Sequence, residues 1–272
     1  MLKTRVITAL VLLAVLLLVL FSGSFLAFAG LTVIFFACAA WESLRLFRNR
    51  FAVVVAVMWT ILFVYLIVTG SFKQSMLLCA LSVAIWLLRL APSLAIGLPS
   101  LEGVGNRLLT GIYGVAILGA FISLLMLFQR STLYMFSVMS IVWIADIGAY
   151  FSGKAFGKHK LAPSISPGKT WEGAIGGGVA VLAAGAVTLL VPVLNDTFAV
   201  QLYLKWNWLG FAAGLIAMVA MSVVGDLFES QLKRRADMKD SSNLLPGHGG
   251  VLDRIDALIP TLPLAVLIGY WM

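Results

Sequence analysis

Charged residues are scarce in this chain. They make up 11% of its 272 residues, whereas hydrophobic residues make up 62%. A soluble domain is typically about 25% charged and about 45–50% apolar. This composition excludes an ordinary soluble globular domain and predicts a polytopic membrane protein whose chemistry takes place at or within the membrane surface.

Cysteine and histidine are also rare, with two of each. Cys38 and Cys79 both lie in apolar runs. Because no His/Cys cluster exists, the sequence argues against a zinc, haem or iron–sulfur site. The basic residues are scattered over several loops with no aromatic-rich soluble platform, which argues against nucleic acid as a partner.

Nine apolar segments come close to the ~20 residues that a bilayer-spanning helix requires. We therefore predict an all-α, polytopic helical integral membrane protein with about nine transmembrane helices. Region 1–130 would hold the N-terminal helices, and region 131–272 would form the catalytic part with cytoplasmic loops 153–172 and 229–254. The predicted spans are 6–21, 25–41, 51–70, 76–90, 108–128, 133–152, 173–194, 208–228 and 255–271.

The distribution of lysine and arginine predicts an orientation. With the N-terminus in the cytoplasm, sixteen of the nineteen basic residues fall inside and only Lys73, Arg130 and Lys205 fall outside. Cytoplasmic loops are enriched in these residues, so the bias supports both the number of spans and a cytoplasmic N-terminus.

The longest polar stretch, 230–256, lies between the last two predicted spans. Mixed charge, glycine and carboxylates in that position indicate a site for a metal-bound polyphosphate. His248, in a Pro-Gly-His-Gly-Gly turn, fits equally well as a phosphate contact, a proton shuttle or a simple turn residue. The charged residues of the stretch are Lys233, Arg234, Arg235, Asp237, Lys239, Asp240, Asp253, Arg254 and Asp256.

Carboxylates within membrane spans are costly and usually functional. Asp146 lies in the sixth predicted span, Asp226 near the end of the eighth, and Asp253 and Asp256 at the start of the ninth. All four fall on the cytoplasmic side, so we expect them at one depth, where they could hold magnesium together with substrate phosphate.

Three further patterns predict local structure or contacts. Asp226, Glu229, Ser230 and Lys233 recur at helical intervals and should share one face. In the loop before the seventh span, Lys169 is a candidate phosphate ligand or simply a positive-inside lysine. Gly176, Gly177 and Gly178 are better suited to close helix packing than to phosphate binding.

The polar stretch resembles the signature of the phosphatidate cytidylyltransferases, also called CDP-diacylglycerol synthases. The loop 166–173 and the pattern Trp143, Asp146, Ala149, Tyr150, Gly153 are also similar to that family. The signature residues are Ser230, Lys233, Arg234, Lys239, Asp240, Ser242, Leu245, Pro246, His248, Gly249, Gly250, Asp253, Arg254 and Asp256.

The resemblance implies transfer of CMP from CTP to phosphatidate, giving CDP-diacylglycerol and pyrophosphate, with Mg²⁺ and with K⁺ as a second cation. It also implies a homodimer in a bacterial inner membrane, with a cavity open to the cytoplasm and to membrane lipid. Within this family the expected catalytic residues are Asp226, Lys239, Asp240, His248 and Asp253. The expected metal ligands are Asp146, Asp226, Asp253 and Asp256, the CTP contacts Lys233, Arg234, Gly249, Gly250 and Arg254, and the lipid-phosphate contacts Ser166 and Lys169.

Two other function classes share some of these features. A transporter also uses acids within the membrane, but usually near the midplane between repeated halves, and this chain has no internal repeat. A lipid kinase that uses CTP would be similarly apolar and basic, but would transfer the γ-phosphoryl group to an alcohol.

Overall fold

The computed structural model describes the chain from Leu2 to Met272, with side chains from Val6 onward, so the side chains of Lys3 and Arg5 lie outside the described part. Within the described residues, seven helices are long and apolar enough to cross a membrane, and two apolar helices are shorter. The predicted helical membrane architecture is confirmed, whereas nine spans and a cytoplasmic N-terminus stay predictions. The α-helices are α1 (Leu2–Phe21), α2 (Phe25–Leu46), α3 (Ala52–Thr69), α4 (Phe72–Ile85), α5 (Ala91–Ile96), α6 (Val104–Arg130), α7 (Thr132–Phe156), α8 (Trp171–Thr188), α9 (Phe198–Arg235), α10 (Leu252–Ile255) and α11 (Leu258–Tyr270).

Side-chain caps begin several of these helices. In a bilayer every backbone polar group needs a partner within the protein, so the free N–H groups of a first turn are costly. Ser71 and Gln74 form a reciprocal capping box at the start of α4. Ser131 accepts a hydrogen bond from the Tyr134 amide of α7, and short polar linkers can therefore separate long apolar helices.

Three elements depart from the predicted pattern. A short antiparallel hairpin of β1 (Lys160–Ala162) and β2 (Ser166–Thr170) occupies the predicted loop 153–172. The fourth span continues beyond residue 90 through a π-helical turn, Trp86–Leu90, into α5. The loop predicted to begin at 229 begins later, because α9 remains helical to Arg235.

The helix α9 contains a sharp break. Trp206 and Asn207 have non-helical backbone angles, and Asn207 has φ of 53°. The segment after this break begins where the eighth span was predicted. The segment before it packs inward, since the side chains of Phe198 and Leu202 are fully buried.

Glycines allow α7 and α8 to approach each other closely. A Cβ atom on Gly177 would lie 2.5 Å from the Ala145 carbonyl oxygen, and one on Gly148 would lie 2.8 Å from the Ala180 Cβ. Small residues at helix interfaces in membranes permit this kind of backbone contact. The packing role predicted for the triple glycine is confirmed at Gly177.

The polar stretch, α1 and α2 meet at one end of the bundle. Thr8 of α1 donates a hydrogen bond to the Pro246 carbonyl. Arg48, just after α2, forms an ion pair with Asp237 at 3.0 Å. The N-terminal end of α1 and the charged loop therefore lie on the same side of the protein, as the distribution of basic residues predicts.

Labelling of single cysteines tests the orientation. Asn243 lies in the charged loop and Asn195 lies between α8 and α9, and both are exposed. In a variant without Cys38 and Cys79, we expect an impermeant maleimide to label residue 195 from outside intact cells. Residue 243 should react only after the membrane is opened.

Labelling of both positions from the same side would contradict the topology.

Candidate active site

A cavity of about 510 Å³, here called the polar cavity, lies between α7, α8, α9 and the β-hairpin. Asp146 of α7, Asp226 of α9 and Lys169 of β2 line it, and Lys169 Nζ lies 2.5 Å from Asp226 Oδ2. Ala145 and Val223 line it further into the membrane region. The cavity thus joins a charged end to an apolar one, which suits a ligand with a phosphate head and hydrocarbon chains.

The β-hairpin places Lys169 in this cavity. Lys160 pairs with Thr170 across the two strands. The Thr170 hydroxyl accepts a hydrogen bond from the Gly173 amide and so caps α8. Lys169 is consequently fixed just before the first turn of α8, facing α9. Ser166 lines the same cavity, so the two predicted lipid-phosphate contacts do lie together.

A second charged network surrounds Lys233. Its ammonium group lies 2.5 Å from Glu229 Oε2 and 2.7 Å from Asp253 Oδ1. Ser230 Oγ donates to Asp226 Oδ1 at 3.3 Å, so the predicted shared face of α9 is confirmed. The face joins the two charged regions, with Asp226 in the polar cavity and Lys233 one to two turns further along.

Asp253 is closely enclosed by protein donors. Besides Lys233, its carboxylate accepts hydrogen bonds from the backbone and hydroxyl of Ser241, both at 2.9 Å, and from the Gly250 amide at 2.8 Å. Burial alone would raise the pKa of Asp253, but these hydrogen bonds, led by that from Lys233, bring the pKa below its usual value. Asp253 is therefore a stable anion that folds the charged loop around itself.

The four predicted metal ligands do not converge in the structure. Among the described side chains, no group of three or more histidine, cysteine, aspartate or glutamate residues is close enough to hold a metal. Asp146 and Asp226 line the polar cavity. Asp253 does not line it, and its carboxylate instead contacts Lys233, Ser241 and Gly250. Asp256, between α10 and α11, lies beside α9, where its carbonyl oxygen faces Gly225.

Glu42 of α2 ties the charged loop to the bundle. Its side chain is completely buried and accepts hydrogen bonds from the Ser242 hydroxyl and from the amides of Val251 and Leu252, the latter two at 3.0 and 2.6 Å. One carboxylate thus holds the first part of the loop and the start of α10 together. Both segments also supply contacts to Asp253, so Glu42 fixes the frame in which the charges sit.

The predicted CTP contacts differ in their surroundings. Lys239 and Arg254 are exposed. Arg254 Nε donates to the His248 carbonyl at 2.9 Å, so it stabilises the turn. Arg234 Nε lies 3.4 Å from the Ile165 carbonyl and links α9 to the hairpin. Lys233, engaged by two carboxylates, supports the site from within.

The His248 turn depends on left-handed backbone at its glycines. Gly247 and Gly249 have φ of 79° and 85°. The Leu245 amide donates to the Gly249 carbonyl at 2.8 Å and closes the turn. A Cβ atom on Gly249 would lie 2.9 Å from Asp253 Oδ2 and 3.5 Å from the Asp240 Cβ, so only glycine fits beside these acids. His248 Nδ1 is buried and has no hydrogen-bond partner among the described residues.

Residue-by-residue reading of the sequence missed the contribution of α2. Arg45 and Arg48 belong to the sixteen basic residues on the predicted cytoplasmic side, and in the structure Arg45 Nη1 contacts the Ser241 carbonyl at 3.4 Å and Arg48 Nη2 contacts the Ala236 carbonyl at 3.2 Å. The available signal was Glu42 itself, an acid at the end of a long apolar helix, where burial demands partners.

Comparison with known proteins identifies the family of this chain. The family model described as "Cytidylyltransferase family" matches residues 3–271. The chain belongs to the cytidylyltransferase family. A phosphatidate cytidylyltransferase of Pseudomonas aeruginosa is 43% identical over 97% of this chain and 95% of its own length. One from Haemophilus influenzae is 52% identical over 46% of this chain and 42% of its own length.

A phosphatidate cytidylyltransferase of Bacillus subtilis is 39% identical over 60% of this chain and 56% of its own length. The family resemblance carried by the residues from Ser230 to Asp256 is thus confirmed over nearly the whole chain. Membership in the cytidylyltransferase family extends to the N-terminal helices, which include Glu42.

Replacement of Glu42 tests its positioning role. Glu42→Ala would leave three buried donors without an acceptor, at a cost of about 1–3 kcal/mol for each. We expect CTP-dependent turnover to fall by at least about tenfold, which corresponds to about 1.4 kcal/mol in the barrier. We also expect faster proteolysis between residues 236 and 251. Glu42→Gln, which keeps one acceptor oxygen, should recover part of both losses.

The exposed Glu102 provides the matched control. If Glu42→Ala and Glu102→Ala behave alike in turnover and proteolysis, Glu42 does not organise the loop.

Proposed function

We propose that this chain transfers CMP from CTP to phosphatidate and forms CDP-diacylglycerol and pyrophosphate. The observation that carries the proposal is the polar cavity, in which two acids and a lysine lie at one end and apolar helix faces at the other. A water-soluble nucleotide and a membrane lipid can meet in such a place. Relatives named phosphatidate cytidylyltransferase support the same substrates.

The reaction needs little proton transfer. A phosphate oxygen of phosphatidate, already ionised near neutral pH, attacks the α-phosphorus of CTP. A bond forms between that oxygen and the α-phosphorus. The bond between the α-phosphorus and the oxygen that bridges it to the β-phosphate breaks, and pyrophosphate leaves with the electron pair of that bond. The main barrier is repulsion between anions, and positioned cations lower it.

The residues of the polar cavity suit this task. Lys169 can turn from Asp226 to a substrate phosphate, because both groups are partly exposed to the cavity. Lys154 lines the same space and adds a second positive charge near the lipid head group. On the loop side, the exposed Lys239 and Arg254 can face the polyphosphate of CTP.

Asp146 and Asp226 fit a magnesium ion. They offer carboxylate oxygens from two helices to one cavity with room for substrate oxygens and water, which is how magnesium is usually held. The ammonium group of Lys169 already takes a cation position on Asp226. When bound, magnesium would neutralise phosphate oxygens in the ground and transition states. Asp253, enclosed by other donors, would shape the loop that faces CTP.

The remaining context follows from the family and the charge pattern. We propose that the site faces the cytoplasm of a bacterial cell from the inner membrane, where CTP is available. A homodimer, and K⁺ beside Mg²⁺, also belong to this proposal.

The position of the label identifies the reaction. Purified protein receives phosphatidate in mixed micelles, Mg²⁺, K⁺ and CTP labelled in the cytosine or at the γ-phosphate. We expect the cytosine label in the lipid and the γ label in pyrophosphate, because attack is at the α-phosphorus. A CTP-dependent lipid kinase would place the γ label in lipid, and a transporter would consume no CTP.

Transfer of γ label to lipid, or no consumption of CTP by folded protein, would overturn the assignment.

The magnesium requirement distinguishes the two charged regions. We expect Asp226→Asn and Asp146→Asn to raise the magnesium concentration for half-maximal activity by about tenfold or more, because each loses a hard anionic ligand. Asp253→Asn should lower kcat while leaving that concentration within about twofold, because it weakens the loop. Titration of initial rates with MgCl₂ measures both quantities.

An unchanged magnesium dependence in Asp226→Asn and Asp146→Asn would remove these residues from the metal site. A large increase in Asp253→Asn alone would place the metal in the Lys233 network.

A further inference from the structure

A second cavity, here called the distal cavity, has a volume of about 240 Å³ and lies along α7, α8 and α9, the helices that form the polar cavity. Ser140, Ile144 and Ala184 are among the residues that line it, and it reaches Thr197 near the far end of the bundle. The mechanism above does not use this space.

The two cavities follow one seam between the helices. On each helix, a residue of the polar cavity lies four positions, or about one helical turn, from a residue of the distal cavity. The distal-cavity members of three such pairs, Ile141, Val181 and Leu215, form a thin layer, here called the floor, and their side chains are buried. The pairs are Ala145 with Ile141, Gly177 with Val181, and Val219 with Leu215.

The walls of the distal cavity suit hydrocarbon. Of the four hydroxyl groups that line it, three donate to backbone carbonyls three residues earlier, those of Ser137, Thr188 and Thr197, at 2.7, 2.6 and 2.8 Å. Their hydrogen-bonding capacity is thus taken up by the backbone, which leaves mainly carbon surface toward the cavity. A polar ligand would find few hydrogen-bond donors in this cavity. Among the described side chains, none of those that line it is ionisable.

The spacing matches a lipid tail. From Asp226 to Leu215 of the floor is eleven positions on α9, which corresponds to about 16 Å of helix. Half of a bilayer hydrocarbon core is about 15 Å thick. With the lipid phosphate at Asp226 and Lys169, a short acyl chain would therefore end near the floor. A long acyl chain would extend past the floor.

We propose that one acyl chain of the lipid substrate runs from the polar cavity past the floor into the distal cavity, which thereby selects for chain length. The proposal rests on the proposed function for the identity of the lipid. Ile141, Val181 and Leu215 would be specificity-determining residues, because the chain must displace their side chains to enter.

Filling the cavity should separate long from short substrates. Ala184→Leu and Ser140→Leu each add bulk to the distal cavity, whereas Ala183→Leu adds the same group at the adjacent, exposed position of α8. Each variant is assayed with dioctanoyl- and dipalmitoyl-phosphatidate at saturating CTP. We expect kcat/KM for the long lipid to fall by about tenfold or more in the two filled variants, the scale of apolar pocket discrimination. The short lipid, and Ala183→Leu with either lipid, should stay within about twofold of the unmodified protein.

Equal losses for both lipids, or no loss for the long one, would overturn the inference. Ile144→Ala provides an independent test in the opposite direction, because it enlarges the distal cavity. It should shift the preference toward longer chains, and an unchanged preference would contradict the proposal. If the unmodified protein converted neither lipid, the proposed function would fail, whereas conversion without dependence on these residues would reject only the acyl-chain site.

Discussion

The buried carboxylate of Glu42 is the interaction on which the charged loop depends. A carboxylate within an apolar bundle is costly unless donors surround it, and here the donors come from the middle of one loop and from its junction with α10. Because the buried charge requires these donors, it restrains the loop in the conformation that supplies them. That restraint positions Ser241 and Gly250 around Asp253, and Asp253 in turn binds Lys233 of α9.

The same restraint separates the charged residues by task. Acids engaged by several protein donors, such as Asp253, keep their charge and give shape to the loop. Acids that border open volume, such as Asp146 and Asp226, line the polar cavity instead, and under the proposed function they would face a cation. The ion pair between Lys169 and Asp226 balances charge within the polar cavity. One face of α9 connects the two regions.

Much of the fold and part of the candidate site could be predicted, because they depend on residues that are close together in the sequence. Apolar runs of bilayer length must become helices, because a membrane offers no partner for exposed backbone groups. The helical spacing of Asp226, Ser230 and Lys233 placed them on one face, as the structure confirms. The family signature was recognisable because it combines residue type and spacing over a short stretch. The hairpin 160–170 was missed because its few residues carry no alternation of apolar and polar side chains.

The sequence by itself determined the membrane-spanning class, the approximate spans, the family and the candidate acids, because these depend on composition and on neighbours within a turn or a loop. Only the tertiary structure decided which acids lie together. Contacts between Glu42 and Leu252, or between Lys169 and Asp226, join elements that are far apart in the chain. These pairings depend on how the helices pack in three dimensions. Lipid tails are as apolar as the helix surfaces, so the pattern of apolar residues in the sequence does not show which helix faces are in contact.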